Sequence, residues 1–372
     1  MLVIEIMFTD LGENGEFFDS VTGNIVREFR EQKKQTILFN LMSEGLMYNE
    51  LVKIDKLANF LIKEKDFKID EFLILSGGLP LIENYHHYIS ACERFNWIEL
   101  PIQFVNWWEI TRKYQSTADH NAYDQIDTTP RIKNKKFVCY NRSVKPHRMF
   151  ITAEIISRGL LDKCYLSNYF DYNNDQYNLN NLHAYFPNAA ERVVQVVHAN
   201  KNLFPIDLGL LDLQHDNEKL ANRTHGLFPE DVEHFNNSYF ALITESKFFQ
   251  DSPSDLSLLA TDLSLNCFFL TEKTFKIIHG RFPFVLAGFA GSLKMLRKLG
   301  YKTFHPYIDE SYDAIENDEE RLEAIMDEVE RLSHLPDGDL LDWQESIQPI
   351  LEHNYQVLLS SDTRCFTANA HC

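Results

Sequence analysis

Two separated blocks of this chain place polar and charged residues where chemistry is available. The first is Lys135-Lys-Phe-Val-Cys-Tyr-Asn-Arg-Ser-Val-Lys-Pro-His-Arg148. Phe137–Tyr140 reads as a strand, Asn141–Lys145 as a loop, and Pro146 suits the first turn of a helix running to about Arg158. Arg142, Lys145, His147 and Arg148 thus gather where a strand feeds a helix N-terminus. Such a place attracts anions, because the backbone N–H groups and the helix dipole both favour negative charge. A guanidinium fork adds bidentate reach to phosphate oxygens. The second block runs from Phe268 to Gly288. Thr271 can cap a helix that begins at Glu272, with Phe275, Ile277 and Ile278 on or near one face and Gly280 past its end. Glu272 and Lys273 sit at the positive end of that helix: a carboxylate that backbone N–H groups can hold, beside an ammonium that can bind phosphate. Plainer roles stand next to these. Lys273 can simply pair with Glu272, Glu272 can serve only the helix dipole, and one of Arg142 and Arg148 can be a surface residue, the spacing favouring Arg148 as the phosphate ligand.

The elements that must position these groups follow from hydrophobic periodicity. Leu2–Ile6, Thr36–Met42 and Glu71–Leu75 read as strands, with another near Ile98. Helical periodicity runs over Tyr48–Lys63 and from about Ile82 to Arg94. Strands alternating with helices predict parallel pairing and right-handed crossovers. Ligands in such sheets sit beyond the carboxyl ends of strands, which singles out Ser43, Glu44, Ser76, Gly77 and Gly78. Tyr114–Asn134 is polar and reads as a linker; residues 170–183 read as an irregular excursion. In the second half Tyr239–Thr244 and Phe284–Ala287 are predicted strands, Gly288–Gly291 a turn, Ser292 the cap of a helix Leu293–Leu299, and Tyr301–Phe304 a last strand. Glu316–Arg331 is an acidic helix with an apolar stripe of Leu322, Ile325, Met326, Val329 and Leu332, its charges reading as a solvated face. Leu340–Leu359 is a closing helix. The domains are then 1–125, 135–345, and a closing helix and tail at 346–372.

Tyr239-Phe-Ala-Leu-Ile-Thr-Glu-Ser246, then Thr271-Glu-Lys-Thr-Phe275, Gly280 and Pro283-Phe-Val-Leu286, resembles the donor-binding motif of α1,3-fucosyltransferases and related glycosyltransferases of GT-B architecture. The chain departs from that motif in a long spacer, Lys247–Leu270, and in Ser246 where Asn is common. The opening at Asn141–Arg148 resembles the matching strand-to-helix segment of those donor domains, in which an Arg contacts the nucleotide diphosphate. The resemblance implies two Rossmann-like domains facing a central cleft, with the nucleotide sugar held by the second. It assigns Arg142, Arg148, Thr271, Glu272 and Lys273 to the donor. Glu245 either reaches the donor sugar or caps the next loop.

Glycosyl transfer needs the leaving diphosphate neutralised and the acceptor hydroxyl deprotonated. The expected cofactor is none beyond a nucleotide-diphosphate sugar as co-substrate, with Arg142, Arg148 and Lys273 supplying the positive charge. An inverting enzyme needs a general base. Glu44 in Ser-Glu-Gly after a strand is first choice, its plainer role being a turn residue; Asp10 and Glu109 are reserves. A retaining enzyme would need none of them. The fourteen histidines show no HxxxH or HExxH pattern, and Asp207 and Asp212 are too loosely placed for a manganese site. The expected partners are the nucleotide-sugar donor and a carbohydrate or other hydroxyl acceptor.

Composition bounds the alternatives. A length of 372 residues suits two domains of ordinary size. The net charge of -19 argues against a broad nucleic-acid surface, and with it against a phage-type DNA-base glycosyltransferase, the other transferase reading. A non-catalytic sugar-nucleotide-binding protein is the third reading. No apolar run reaches the roughly 18–20 residues that span a bilayer. Met1-Leu-Val-Ile-Glu-Ile reads as a strand, not a signal peptide, and six scattered cysteines without CxxC pairs suit reduced thiols, so a cytoplasmic location is expected.

Overall fold

The computed structural model describes residues 3–7, 25, 36–41, 48–77, 82–106, 125–141, 144–172, 174–175, 179–206, 208, 229–249, 269–360 and 365–367. Among them the strands are β1 Val3–Met7, β2 Thr36–Leu41, β3 Phe72–Gly77, β4 Ile102–Val105, β5 Lys135–Asn141, β6 Cys164–Asn168, β7 Ser238–Thr244, β8 Phe284–Ala287 and β9 Cys365–Thr367. The helices are α1 Tyr48–Lys65, α2 Ile82–Phe95, α3 Pro146–Ser157, α4 Ala190–Ala199, α5 Pro229–Asn236, α6 Glu272–His279, α7 Ser292–Lys298, α8 Asp318–His334 and α9 Asp337–Ser360. The protein is α/β, and its two sheets are built mainly of parallel strands. The chain forms two compact units: Met1–Ile110, Gln250–Phe269 and Asp362–Cys372 make the first, and Thr111–Phe249 with Leu270–Ser361 the second.

In the first unit β1, β2, β3 and β4 lie side by side in chain order, parallel, and β9 closes the edge antiparallel to β4. Ile37, Phe39 and Leu41 of β2 are buried, while Thr36, Leu38 and Asn40 between them are part-exposed. That period of two sends alternate side chains to opposite faces. The buried face shares one core with Leu51, Ile54, Leu57 and Leu61 of α1 and with Tyr88 and Cys92 of α2. Strands in chain order with right-handed crossovers put both helices on the same face. The described strands of this sheet therefore wind one way, without the reversal of a doubly wound sheet. The strand expected near Ile98 begins later, after Pro101. The approach to it is held by side chains instead of a ladder: Ile98 N donates to Asp55 Oδ1 at 2.8 Å and Leu100 N to Tyr88 Oη at 2.9 Å.

The second unit's sheet has the order β6-β5-β7-β8, all parallel. The chain steps outward from β5 to β6, then returns past β5 to β7 and β8. This reversal puts crossover helices on both faces. β7 is buried at every residue, as a strand covered on both faces must be. α8 packs on α3, β5 and β8, whereas α6 packs on β7 and α9. The predicted stripe on α8 is the buried face, with Leu322, Ile325, Met326, Val329 and Leu332 all at 0% exposure. Its charges are not all solvated, however: Arg321 is buried and donates to the carbonyls of Gly288, Ile315, Glu316 and Phe248, and pairs with Asp318.

Three local expectations change. Tyr301–Phe304 is not a strand. Lys302 N donates to Asn354 Oδ1 and Phe304 N to Glu310 Oε1, so side chains satisfy this backbone. Ser292 does not cap α7; Gly291, at φ 82°, precedes it, and the carboxylate of Asp313 accepts from Leu293 N and Lys294 N at 2.9 Å each. At the end of α6 the left-handed residue is Arg281, at φ 50°, not Gly280. Gly280 instead lets Ile126 approach, since a Cβ there would come within 2.6 Å of the terminal Cδ1 methyl of Ile126. Ile126 belongs to the expected linker, whose described part packs on the second unit: Asp127 N donates to Asn236 Oδ1 and Lys133 N to Tyr239 Oη. No helix among the described residues is long and apolar enough to cross a membrane.

Candidate functional site

The reversal of the second sheet lies between β5 and β7, whose carboxyl ends open on the crevice where parallel sheets bind ligands. The two strands end in Asn141 and Thr244, and Thr244 Oγ1 donates to Asn141 Oδ1 at 2.5 Å. Asn141 N is in turn bonded to Ser167 Oγ at 3.3 Å. Beyond this buried polar pair the chain continues into α3 on one side and into Glu245 and Ser246 on the other.

α3 opens as the sequence predicts, with Pro146 in its first turn and Lys145 at the N-cap in extended conformation, contributing no side-chain cap. Its next two residues turn inward. Arg148 is 2% exposed and donates from Nη2 to the carbonyl of Thr244 at 3.0 Å. His147 is 1% exposed and bonded through Nε2 to the carbonyl of Glu245 at 2.9 Å. A carbonyl only accepts, so Nε2 carries the proton. Phe248 stacks on the imidazole and Phe249 meets it nearly edge-on. Burial above all, then the charge of Arg148, holds the His147 pKa well below its ordinary value; the bond to Glu245 opposes this, and Lys145 and Lys273 add to it. Burial likewise lowers the Arg148 guanidinium, opposed chiefly by Glu245.

Glu245 is fully buried and its carboxylate brackets the start of α6. It accepts from Thr271 N at 3.1 Å, Thr271 Oγ1 at 2.6 Å and Thr274 Oγ1 at 2.5 Å. Thr271 is the N-cap, as expected, taking Lys273 N on its own hydroxyl. Lys273 is the cation that reaches outward, its side chain 27% exposed. Its ammonium donates to Ser246 Oγ at 3.1 Å, Thr271 Oγ1 at 3.1 Å and Glu272 Oε1 at 2.9 Å. Burial works to raise the Glu272 carboxyl, but Lys273 and then Lys276 outweigh it and hold the group below its ordinary value.

Hydrogen bonds thus join Glu245, Thr271, Lys273 and Glu272 at the carboxyl edge of the sheet, and Arg148 is held on the carbonyl of Thr244, the residue before Glu245. Arg142, Glu44, Asp10 and Glu109 lie outside the described residues. Sequence reasoning placed His147 in the basic cluster without a role, and did not foresee Thr274 or Phe248. The Thr271-x-x-Thr274 spacing, one turn of helix facing a buried acid, was the signal available for Thr274. Among the described residues no group of three or more His, Cys, Asp or Glu is placed to hold a metal ion. Compared with protein-family models, curated proteins and solved structures, the chain matches none.

Proposed function

We propose that this chain is a glycosyltransferase that moves a sugar from a nucleotide-diphosphate sugar to an acceptor hydroxyl, without a metal and with inversion. The observation that carries the reading is a contrast among three helix N-termini at the carboxyl edge of the second sheet. The start of α6 is closed by Glu245 and the Thr271 hydroxyl, and that of α7 by Asp313. The start of α3 has no side-chain cap at Lys145 and adjoins the strand reversal; Arg148, Lys145 and Lys273 act on His147 in its first turn, and Glu245 and Glu272 act on Arg148. That is where a diphosphate finds backbone donors and positive charge together. The likeness of Tyr239–Ser246 and Thr271–Leu286 to the fucosyltransferase donor motif supports the same assignment.

In this reading Lys273 meets the diphosphate directly. Arg148, being buried, contributes a fixed positive field behind it. Both stabilise the charge that builds on the leaving group, as preorganised electrostatics do. Deprotonation of the acceptor falls to a carboxylate, Glu44 first and then Asp10 or Glu109. The test is calorimetry against GDP-, UDP-, CMP- and dTDP-sugars. Lys273→Ala weakens binding of the sugar nucleotide that the wild type selects by about 1.5–3 kcal/mol, the worth of a lost charge-assisted bond. Unchanged affinity in that variant removes the reading.

A further inference from the structure

In the segment that leads into β5, one cationic side chain is buried between exposed neighbours. Arg131, Ile132 and Asn134 are exposed, whereas Lys133 is 7% exposed and donates from its ammonium to the carbonyl of Asn236 at 2.8 Å. Lysine is almost never fully buried unless an opposite charge pairs with it. Here the acceptor is a neutral carbonyl, and a second cation uses the same oxygen: Arg131 Nη2 donates to it at 3.2 Å. Asp127 is the carboxylate whose charge reaches Lys133, and it is held by Arg131 Nη1 at 2.7 Å. The backbone N–H of Lys133 goes to Tyr239 Oη, whose own proton goes to Asp337 at 3.2 Å.

Burial and a neighbouring cation act in one direction, since both favour the neutral amine. Together they pull the Lys133 ammonium down to about 8, burial first and Arg131 second, with Asp127 opposing. A lysine in its ordinary range is protonated at neutral pH and has no lone pair to give. Lys133 is set apart by having one. Its surroundings also say what it reacts with. A side chain so covered admits a small electrophile, not a bulky acyl carrier. The product must suit a place where two cations share one carbonyl. Acylation or cyanate leaves a neutral amide or urea, from which Arg131 gains nothing. Carbon dioxide is small and leaves an anion. The nitrogen lone pair forms the C–N bond, one C–O π pair moves onto oxygen, and a proton leaves nitrogen for solvent. The carbamate keeps one N–H for the Asn236 carbonyl and sets a carboxylate beside Arg131.

We infer that Lys133 is a carbon dioxide acceptor, a reversible carbamate site whose product pairs with Arg131. The inference stands apart from the sugar-transfer reading and does not need it. Its effect is local to the second unit. Residues 127–133 are tied to α5 and α9: Asp127 N donates to Asn236 Oδ1, Arg131 N to Gln344 Oε1, and Gln348 Nε2 to the carbonyl of Thr128. Turning a charge that repels Arg131 into one that attracts it tightens that attachment.

The test is to trap the carbamate on the full chain. The protein is equilibrated with ¹³C-labelled bicarbonate near pH 8, the carbamate is alkylated with a trialkyloxonium salt, and peptide mass mapping locates the label. The α-amino group, whose ordinary pKa is also near 8, is the internal control. Lys133 is expected to carry on the order of a hundredfold more label than an exposed lysine, whose neutral fraction at that pH is smaller by that factor. Carbon NMR before alkylation should show a carbamate signal that Lys133→Arg removes. Arg131→Gln is expected to lower the Lys133 label several-fold, because it removes both the charge that favours the free amine and the partner of the product. A wild type labelled at the α-amino group and not at Lys133 overturns the inference. Undiminished Lys133 label in Arg131→Gln overturns it as well, since carbon dioxide is singled out by the charge that its product sets beside Arg131.

Discussion

At the scale of single residues, the second unit buries Glu245, Arg148 and His147 in anchoring bonds and leaves Lys273 part-exposed. The Glu245 carboxylate accepts three bonds from Thr271 and Thr274 and so anchors the start of α6, a role that the sequence alone does not single out. Thr271, Glu272 and Lys273 were legible because a capping residue followed by charges is a local pattern. The inward turn of Arg148 was not, since it depends on the Thr244 carbonyl, which is 96 positions away. His147 carries a pH prediction. Its folded pKa lies well below the ordinary 6.5, so below that pH the unfolded chain binds more protons than the folded one. Stability of the second unit is then flat with respect to this group above about pH 7. Below the ordinary value it falls as pH falls, by up to about 1.4 kcal/mol per pH unit. Urea unfolding of the wild type and His147→Gln between pH 7.5 and pH 5 checks this. The gap between the two curves must narrow or reverse toward the acid side.

At the scale of elements, helices with a clear stripe and strands with a clear period emerged close to their expected bounds, α8 and β7 among them. What escaped were segments whose backbone is satisfied from far along the chain. Tyr301–Phe304 has the composition of a strand, yet Asn354 and Glu310 take its backbone groups and the sheet stops at β8. Gly280 shows the same limit. A glycine after a helix suggests a left-handed cap, whereas here its role is to let Ile126 approach. Gly280→Ala should therefore destabilise the second unit by about 1–2 kcal/mol through overpacking, softened by whatever the end of the isoleucine can yield. Ile126→Val in the same chain removes the clashing methyl and should return most of the loss. Thermal unfolding of the single and double variants checks this, and a loss that Ile126→Val leaves unrescued would contradict it.

At the scale of the whole molecule, parallel α/β organisation was legible from alternation alone, but the winding of the two sheets was not. Period and propensity fix which residues form strands; strand order depends on contacts between segments far apart in sequence. The first sheet takes its fifth strand from the far end of the sequence, residues 365–367, a segment read as part of a tail. Removing residues 362–372 leaves the outer edge of β4 with unpaired N–H and C=O groups, a template for another chain. The shortened protein is expected to self-associate with rising concentration, as light scattering would show. Its second unit should still melt like that of the full chain. A shortened protein that stays monomeric at every concentration would contradict this.

That late strand also has a consequence in time. Translation delivers β4 long before its partner, for 260 positions separate Val105 from Cys365 (365 − 105). At about 5–20 residues per second, β4 waits on the order of tens of seconds beside a growing polypeptide. Throughout that interval the first sheet is open at one edge while the second unit is still being made. The nascent chain is thus most exposed to wrong pairing on the ribosome, and a stall between those positions would leave a hazard that the finished protein no longer carries.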